Sequence, residues 1–156
     1  LSAKQLEQPD LLDKIDEILA KTEVDTERLK IELTESVFTE NYESVKKILE
    51  QFQTRKIRIS LDDFGTGYSC LSYLHQLPVN TLKIDRAFVN RETLEIAETI
   101  IVLAHNLEMD VVAEGVETEQ QRSQLQALGC EYGQGYLFAK PMSNREIENL
   151  LGIKKV

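Results

Sequence analysis

Apolar residues recur along this chain with two alternating periods. Residues 10–20, DLLDKIDEILA, set Leu11, Leu12, Ile15, Ile18 and Leu19 at helical spacing. LKIEL at 29–33 then alternates as a strand does. NYESVKKILEQF at 41–52 returns to the helical period through Val45, Ile48, Leu49 and Phe52. KIRISLDD at 56–63 alternates again, and residues 69–76 predict a short helix that stops before Pro78. TLKID at 81–85, DVVAEG at 110–115 and GQGYLF at 133–138 predict three further strands. Between them lie helices over 92–107 and 118–129. The second opens on a Thr118–Gln121 capping box and closes on Gly129. Ser143 and Glu146 form another capping box after Pro141. No linker, repeat or low-complexity tract interrupts the series.

Strands alternating with helices predict parallel βαβ units, in an open doubly wound sheet or a (β/α)8 barrel. Side-chain parity separates the two. One parity is apolar: Leu29, Ile31, Leu33; Ile57, Ile59, Leu61; Leu82, Ile84; Val111, Ala113. The other carries Glu32, Asp62, Lys83, Asp85 and Glu114, near the C-terminal strand ends. Successive strand residues face opposite sides, so four strands put their ionisable groups on one face. An open sheet covered by helices on both sides would be apolar on both parities. A barrel turns one parity out to its helices and the other into a central mouth, where barrel active sites lie. The expectation is an α/β, TIM-like barrel. Five predicted strands cannot close eight, so about three strands are expected to be lacking on the N-terminal side.

The chain has 156 residues, 42% hydrophobic, which fits one globular domain. Its net charge of −9 disfavours a DNA-backbone binder but leaves room for a nucleotide held through metal ions. Cys70 and Cys130 match no zinc spacing and read as two buried free thiols, which suits a cytoplasmic location. His75 and His105 both fall on predicted helices.

Glu32, Asp62, Asp63 and Glu114 are therefore the candidate ligands. Hard oxygen donors without a Cys or His cluster suit Mg2+ or Mn2+. Two such ions about 3.5–4 Å apart can clamp a phosphate and activate water. Adjacent Asp62 and Asp63 suit a bridging carboxylate, with cations cancelling their mutual repulsion. Lys83 would add fixed positive charge near the attacking water. Plainer readings stand beside these. Acids at strand ends also serve as helix caps, and Lys83 could simply pair with Asp85 or Asp62. A Schiff-base role for Lys83 is disfavoured, because nearby acids keep an ammonium protonated. FGTGYS at 64–69 is not a P-loop, since no Gly-Lys-Ser/Thr follows. A mobile loop that orders the metal pair is as good a reading. Glu35 and Glu117 each follow a strand acid by three positions and are open to surface or cap roles.

IELTES at 31–36, DDFGTGYSCLSYL at 62–74, LPVNTLKIDRAFV at 77–89, VVAEGVET at 111–118 and QGYLFAKPM at 134–142 resemble, in order, the motifs of the EAL domain family of cyclic di-GMP phosphodiesterases. The resemblance implies a TIM barrel whose modified first strand runs antiparallel to the rest. It implies hydrolysis of cyclic di-GMP to linear pGpG with Mg2+ or Mn2+, two ions being expected. It makes Glu32, Asp62, Asp63 and Glu114 metal ligands or near-ligands, and Lys83 the group that orients or helps deprotonate water. Glu117 and Gln134 support water, metal or substrate at the rim. Asp85 is an ordering neighbour and, with Gly135, is expected on the substrate side. Glu35 braces the DDFGTG loop, which in this family couples the site to dimerisation.

One departure matters. The Glu-Ala-Leu motif that names the family does not occur in these residues. By the resemblance its Glu, a metal ligand, and a substrate-binding arginine would lie upstream of Leu1. A metal-binding Asn would come just before the opening Leu-Ser. Residues 1–156 thus read as one partial domain, the C-terminal two-thirds. The expected parent is a cyclic di-GMP phosphodiesterase, homodimeric, with upstream sensory or diguanylate cyclase-type domains and with membrane tethering left open. The chain alone is expected to be inactive. The alternative is a non-catalytic module that binds cyclic di-GMP and relays through the DDFGTG loop.

Overall fold

The computed structural model describes residues 1–38, 42–66, 71–91 and 93–152. Five strands form one wholly parallel sheet in the order β1-β2-β3-β4-β5, and it does not close. They are β1 Lys30–Thr34, β2 Arg58–Phe64, β3 Thr81–Ile84, β4 Asp110–Glu114 and β5 Tyr132–Gln134. The helices are α1 Ala3–Leu6, α2 Leu11–Thr22, α3 Tyr42–Thr54, α4 Leu71–Leu74, α5 Arg86–Val89, α6 Glu95–Asn106, α7 Glu119–Ala127 and α8 Asn144–Leu150. Among the described residues, no helix is long and apolar enough to cross a membrane.

The two strand parities separate as the sequence pattern requires. Leu33, Ile59, Leu61, Leu82, Ile84, Val111 and Ala113 are fully buried on one face. α3 packs there against β2 through Val45, Leu49 and Phe52, and α6 packs against β3 and β4 through Ala97, Ile100, Ile101 and Ala104. These spacings make one apolar stripe per helix. The opposite face is polar. Register sets Glu32 beside Ser60, Ser60 beside Thr81, and Thr81 beside Asp110. At its N-terminal end Arg58 meets Asp110 at 2.6 Å, and Lys30 donates to Thr81 at 3.1 Å.

Several expectations shift. α2 buries no residue fully, and Ile18, expected on its inner face, is 58% exposed; α2 covers the edge of the core rather than entering it. The strand expected over 133–138 ends at Gln134. Beyond it the chain wraps around Val116, whose N–H donates to the Gln134 carbonyl and whose own carbonyl accepts from Leu137. Gly135 permits this, because a Cβ there would lie 2.2 Å from the Val116 oxygen. The Thr118–Gln121 and Ser143–Glu146 capping boxes are both formed, and Gly129 takes the left-handed conformation after α7. His105 lies on α6, but His75 sits in the turn after α4. Residues 67–69 of the FGTGYS loop, Cys70 after it, and position 92 lie outside the described residues.

Candidate active site

β2, β3 and β4 each deliver one ionisable side chain to the polar face near its C-terminal end, and β1 adds Glu32. Lys83 on β3 is only 5% exposed and is enclosed by these acids. Its Nζ lies 2.7 Å from Glu114, 2.9 Å from Asp62 and 3.0 Å from Glu32. Asp85, its other expected partner, is elsewhere. Burial works against the Lys83 ammonium, but hydrogen bonds to Glu114, Asp62 and Glu32 outweigh it and hold its pKa above the ordinary lysine value.

Asp62 and Asp63 owe their joint position to a break in strand period. Leu61 pairs with Leu82 and Phe64 with Ile84, so two residues of β2 stand opposite Lys83 alone. This is a β-bulge. Asp63 adopts φ 53°, a left-handed conformation that aspartate tolerates better than most residues. A regular strand would send the Asp63 side chain to the helix-covered face. The bulge instead brings carboxylate oxygens of Asp62, Asp63 and Glu114 within 4.8 Å of one another. Burial and the charges of Asp62 and Asp85 raise the Asp63 pKa, with Lys83 opposing. Three oxygen donors gathered this closely, one of them resisting ionisation, fit a divalent cation: the ligands are hard, and Lys83 pairs with Asp62 and Glu114 but not with Asp63. Among the described residues this is the one cluster of potential ligands, and neither histidine belongs to it. His105 pairs with Glu131 at 2.7 Å instead. Cys130 is a free, half-buried thiol near the Tyr132 and Val111 carbonyls.

Glu35 is buried in the helical turn after β1 and accepts from the Gly65 N–H at 3.3 Å, so it touches the start of the glycine loop. Asp85 accepts from the Ala87 N–H at 2.9 Å and thereby caps α5. That short helix escaped the sequence reading; an aspartate ahead of an apolar run was its available signal. Glu117 and Gln134 line a hollow of about 230 Å³ beside Glu114, together with Gly135, Tyr136 and Arg86. Gln134 stands opposite Glu114 in the β4–β5 register. Arg86 carries no sequence signal of its own, since it follows the last residue of the β3 pattern and its place in the hollow is set by the turn into α5.

The parallel sheet and the acid-and-lysine mouth together define an α/β chain with a candidate cation site at its strand ends. The EAL domain family matches residues 1–141, and the chain belongs to that family. It is 38% identical to the cyclic di-GMP phosphodiesterase NbdA of Pseudomonas aeruginosa over 96% of its length. It is 40% identical to the bifunctional diguanylate cyclase/cyclic di-GMP phosphodiesterase MucR of the same organism over 94%. It spans only 20% and 22% of those two proteins. Among solved structures, the PaMucR phosphodiesterase in complex with c-di-GMP superposes with a TM-score of 0.89 at 39% identity, covering 94% of this chain and 62% of that one. The EAL domain of Mycobacterium smegmatis DcpA gives 0.91 at 37% identity, covering all of this chain and 72% of that one.

Proposed function

We propose that this chain forms the larger part of a metal-dependent site that hydrolyses cyclic di-GMP to linear pGpG. One observation carries the reading: Asp62, Asp63 and Glu114 gather within 4.8 Å at the strand ends, beside a buried lysine that binds two of them, Asp62 and Glu114. Asp62, Asp63 and Glu114 would hold Mg2+ or Mn2+, with Glu32 close by, and two ions suit the bulged aspartate pair. The bound metal supplies positive charge to phosphodiester oxygens and lowers the pKa of water.

The remaining work falls to this chain's side chains. Lys83 is held protonated by three acids and keeps those carboxylates in register, and it would orient water through an N–H that one of them yields. Under this reading Gln134 and Glu117 position water or substrate at the rim, and Gly135, whose missing Cβ makes room for Val116, would meet the substrate through its backbone. Asp85 orders the mouth through its cap on α5, and Glu35 steadies the loop after Asp63. The open sheet is read as part of a TIM-like barrel whose other strands lie outside these residues. A homodimer, partner domains of the sensory or cyclase kind and a cytoplasmic setting belong to the same proposal. So does inactivity of the 156-residue chain alone, because the family's Glu-Ala-Leu glutamate is not in it.

The test is chromatographic detection of pGpG from cyclic di-GMP in the full-length natural protein. Turnover should require Mn2+ or Mg2+, cease with EDTA and return with excess metal. Hydrolysis indifferent to EDTA, or binding with no turnover under any metal, would overturn the reading.

A further inference from the structure

A phosphodiester is an anion, yet the mouth that would receive it is lined with acids. Lys83 cannot supply the missing charge to substrate alone, because its ammonium is already shared among Glu32, Asp62 and Glu114. The hollow beside Glu114 also holds Glu117, and one cationic side chain lines it: Arg86. Among the described residues no acid lies in ion-pair range of that guanidinium, although Glu114 and Glu117 share its hollow.

Arg86 is also held in place. The Asp85 carboxylate caps α5 at the Ala87 N–H, fixing the first residue of that helix at the end of β3. From the other side, Gly115 at the end of β4 packs directly on it. A Cβ at Gly115 would lie 2.5 Å from the Arg86 Cβ, and Gly115 itself takes φ 67°. Only glycine therefore allows the two elements to meet so closely. The approach sets the Arg86 stem against the strand that carries Glu114.

We propose that Arg86 is a substrate-binding residue, whose guanidinium takes a phosphate oxygen pair of the cyclic dinucleotide in this hollow. The planar fork suits a phosphodiester in two-point contact, which a lysine ammonium cannot reproduce. The proposal rests on the function proposed above. Because the contact is made to the bound substrate as well as during reaction, it belongs to affinity rather than to the chemical step.

The test uses the full-length natural protein with Arg86→Ala and Arg86→Lys. Initial-rate kinetics and calorimetric titration with cyclic di-GMP should give a KM and Kd raised about 10- to 100-fold in Arg86→Ala, with kcat within about threefold. Arg86→Lys should recover only part of the affinity, and thermal unfolding of both variants should match the parent. Unchanged KM and Kd in Arg86→Ala, beside a parent that binds or hydrolyses, overturn the role of Arg86 alone. A fall in kcat together with a lowered Tm also overturns it, in favour of a structural role against Gly115. A parent that neither binds nor hydrolyses cyclic di-GMP overturns the functional reading, and this inference with it.

Discussion

Replacing Asp63 with asparagine should stabilise the chain without metal and remove most of its response to metal. Asparagine keeps the shape of the side chain and tolerates the left-handed backbone at φ 53°, so the bulge survives. What changes is charge. Carboxylate oxygens of Asp62 and Glu114 lie within 4.8 Å of Asp63. Coulomb repulsion at that separation amounts to about 1 kcal/mol per pair in water and about 3.5 kcal/mol at an effective dielectric near 20. Attraction to Lys83 offsets part of this, so a net gain of about 1 kcal/mol is expected. For a chain of this size that corresponds to a Tm rise of about 2–4 °C.

The sign of the pH dependence follows from the raised Asp63 pKa. The folded chain holds this proton more tightly than the unfolded chain, whose aspartate titrates near its ordinary 3.8. Below that value Asp63 is neutral in both states and the substitution confers nothing. As pH rises through the folded value the parent loses stability and the variant does not. Added Mn2+ reverses the order. At a hundredfold excess over its Kd a cation stabilises the parent by about 2.7 kcal/mol, which the variant should largely forfeit. Thermal unfolding by circular dichroism at pH 3 and pH 7, with EDTA or with Mn2+, reads all four corners. A variant less stable than the parent in EDTA at pH 7, or one stabilised by Mn2+ as much as the parent, would refute the electrostatic account.

Two more substitutions probe the same frame. Lys83→Met removes the ammonium from among Glu32, Asp62 and Glu114, and should cost about 3 kcal/mol in urea unfolding, the low end for a broken buried ion pair because the acids keep some contact with water; an unchanged urea midpoint would mean the acids do not depend on it. Gly135→Ala puts a methyl 2.2 Å from the Val116 carbonyl oxygen and should cost about 3 kcal/mol, with the turn over 135–138 losing hydrogen-exchange protection first; wild-type exchange there would show that the wrap around Val116 is not tight.

Side-chain parity reached most of this site because it is a property of strands that tertiary context rarely alters. Glu32, Asp62, Lys83 and Glu114 share a face for the same reason that Leu33, Leu61, Leu82 and Ala113 share the other, and the structure brings the three acids together around the Lys83 ammonium. Asp63 shows where parity ends. Strict alternation sends it to the helices, and only the bulge opposite Lys83 returns it to the mouth. Chemistry suggested that two adjacent aspartates work as a pair; periodicity alone denied it. The α5 helix was hidden for a related reason: one residue, Asp85, was read for its charge when its local work is to cap the next turn. β5 was overextended because GYLF has strand composition, while its path is set by close backbone contact between Gly135 and Val116.

These departures from strand periodicity share a physical cause. Each lies where β2, β3 or β5 leaves its regular ladder at the C-terminal end, through a bulge, a cap or a glycine contact. Regular strands aim successive side chains at opposite faces, so a mouth that takes two adjacent carboxylates from one strand has to break the ladder there. Lys83 makes that break tolerable. Its buried ammonium holds Glu32, Asp62 and Glu114 in place, while Asp63, without an ion pair to it, has its pKa raised by burial and by the charges of Asp62 and Asp85. Under the proposed function, Asp63 is therefore a position where stability and cation binding would oppose each other.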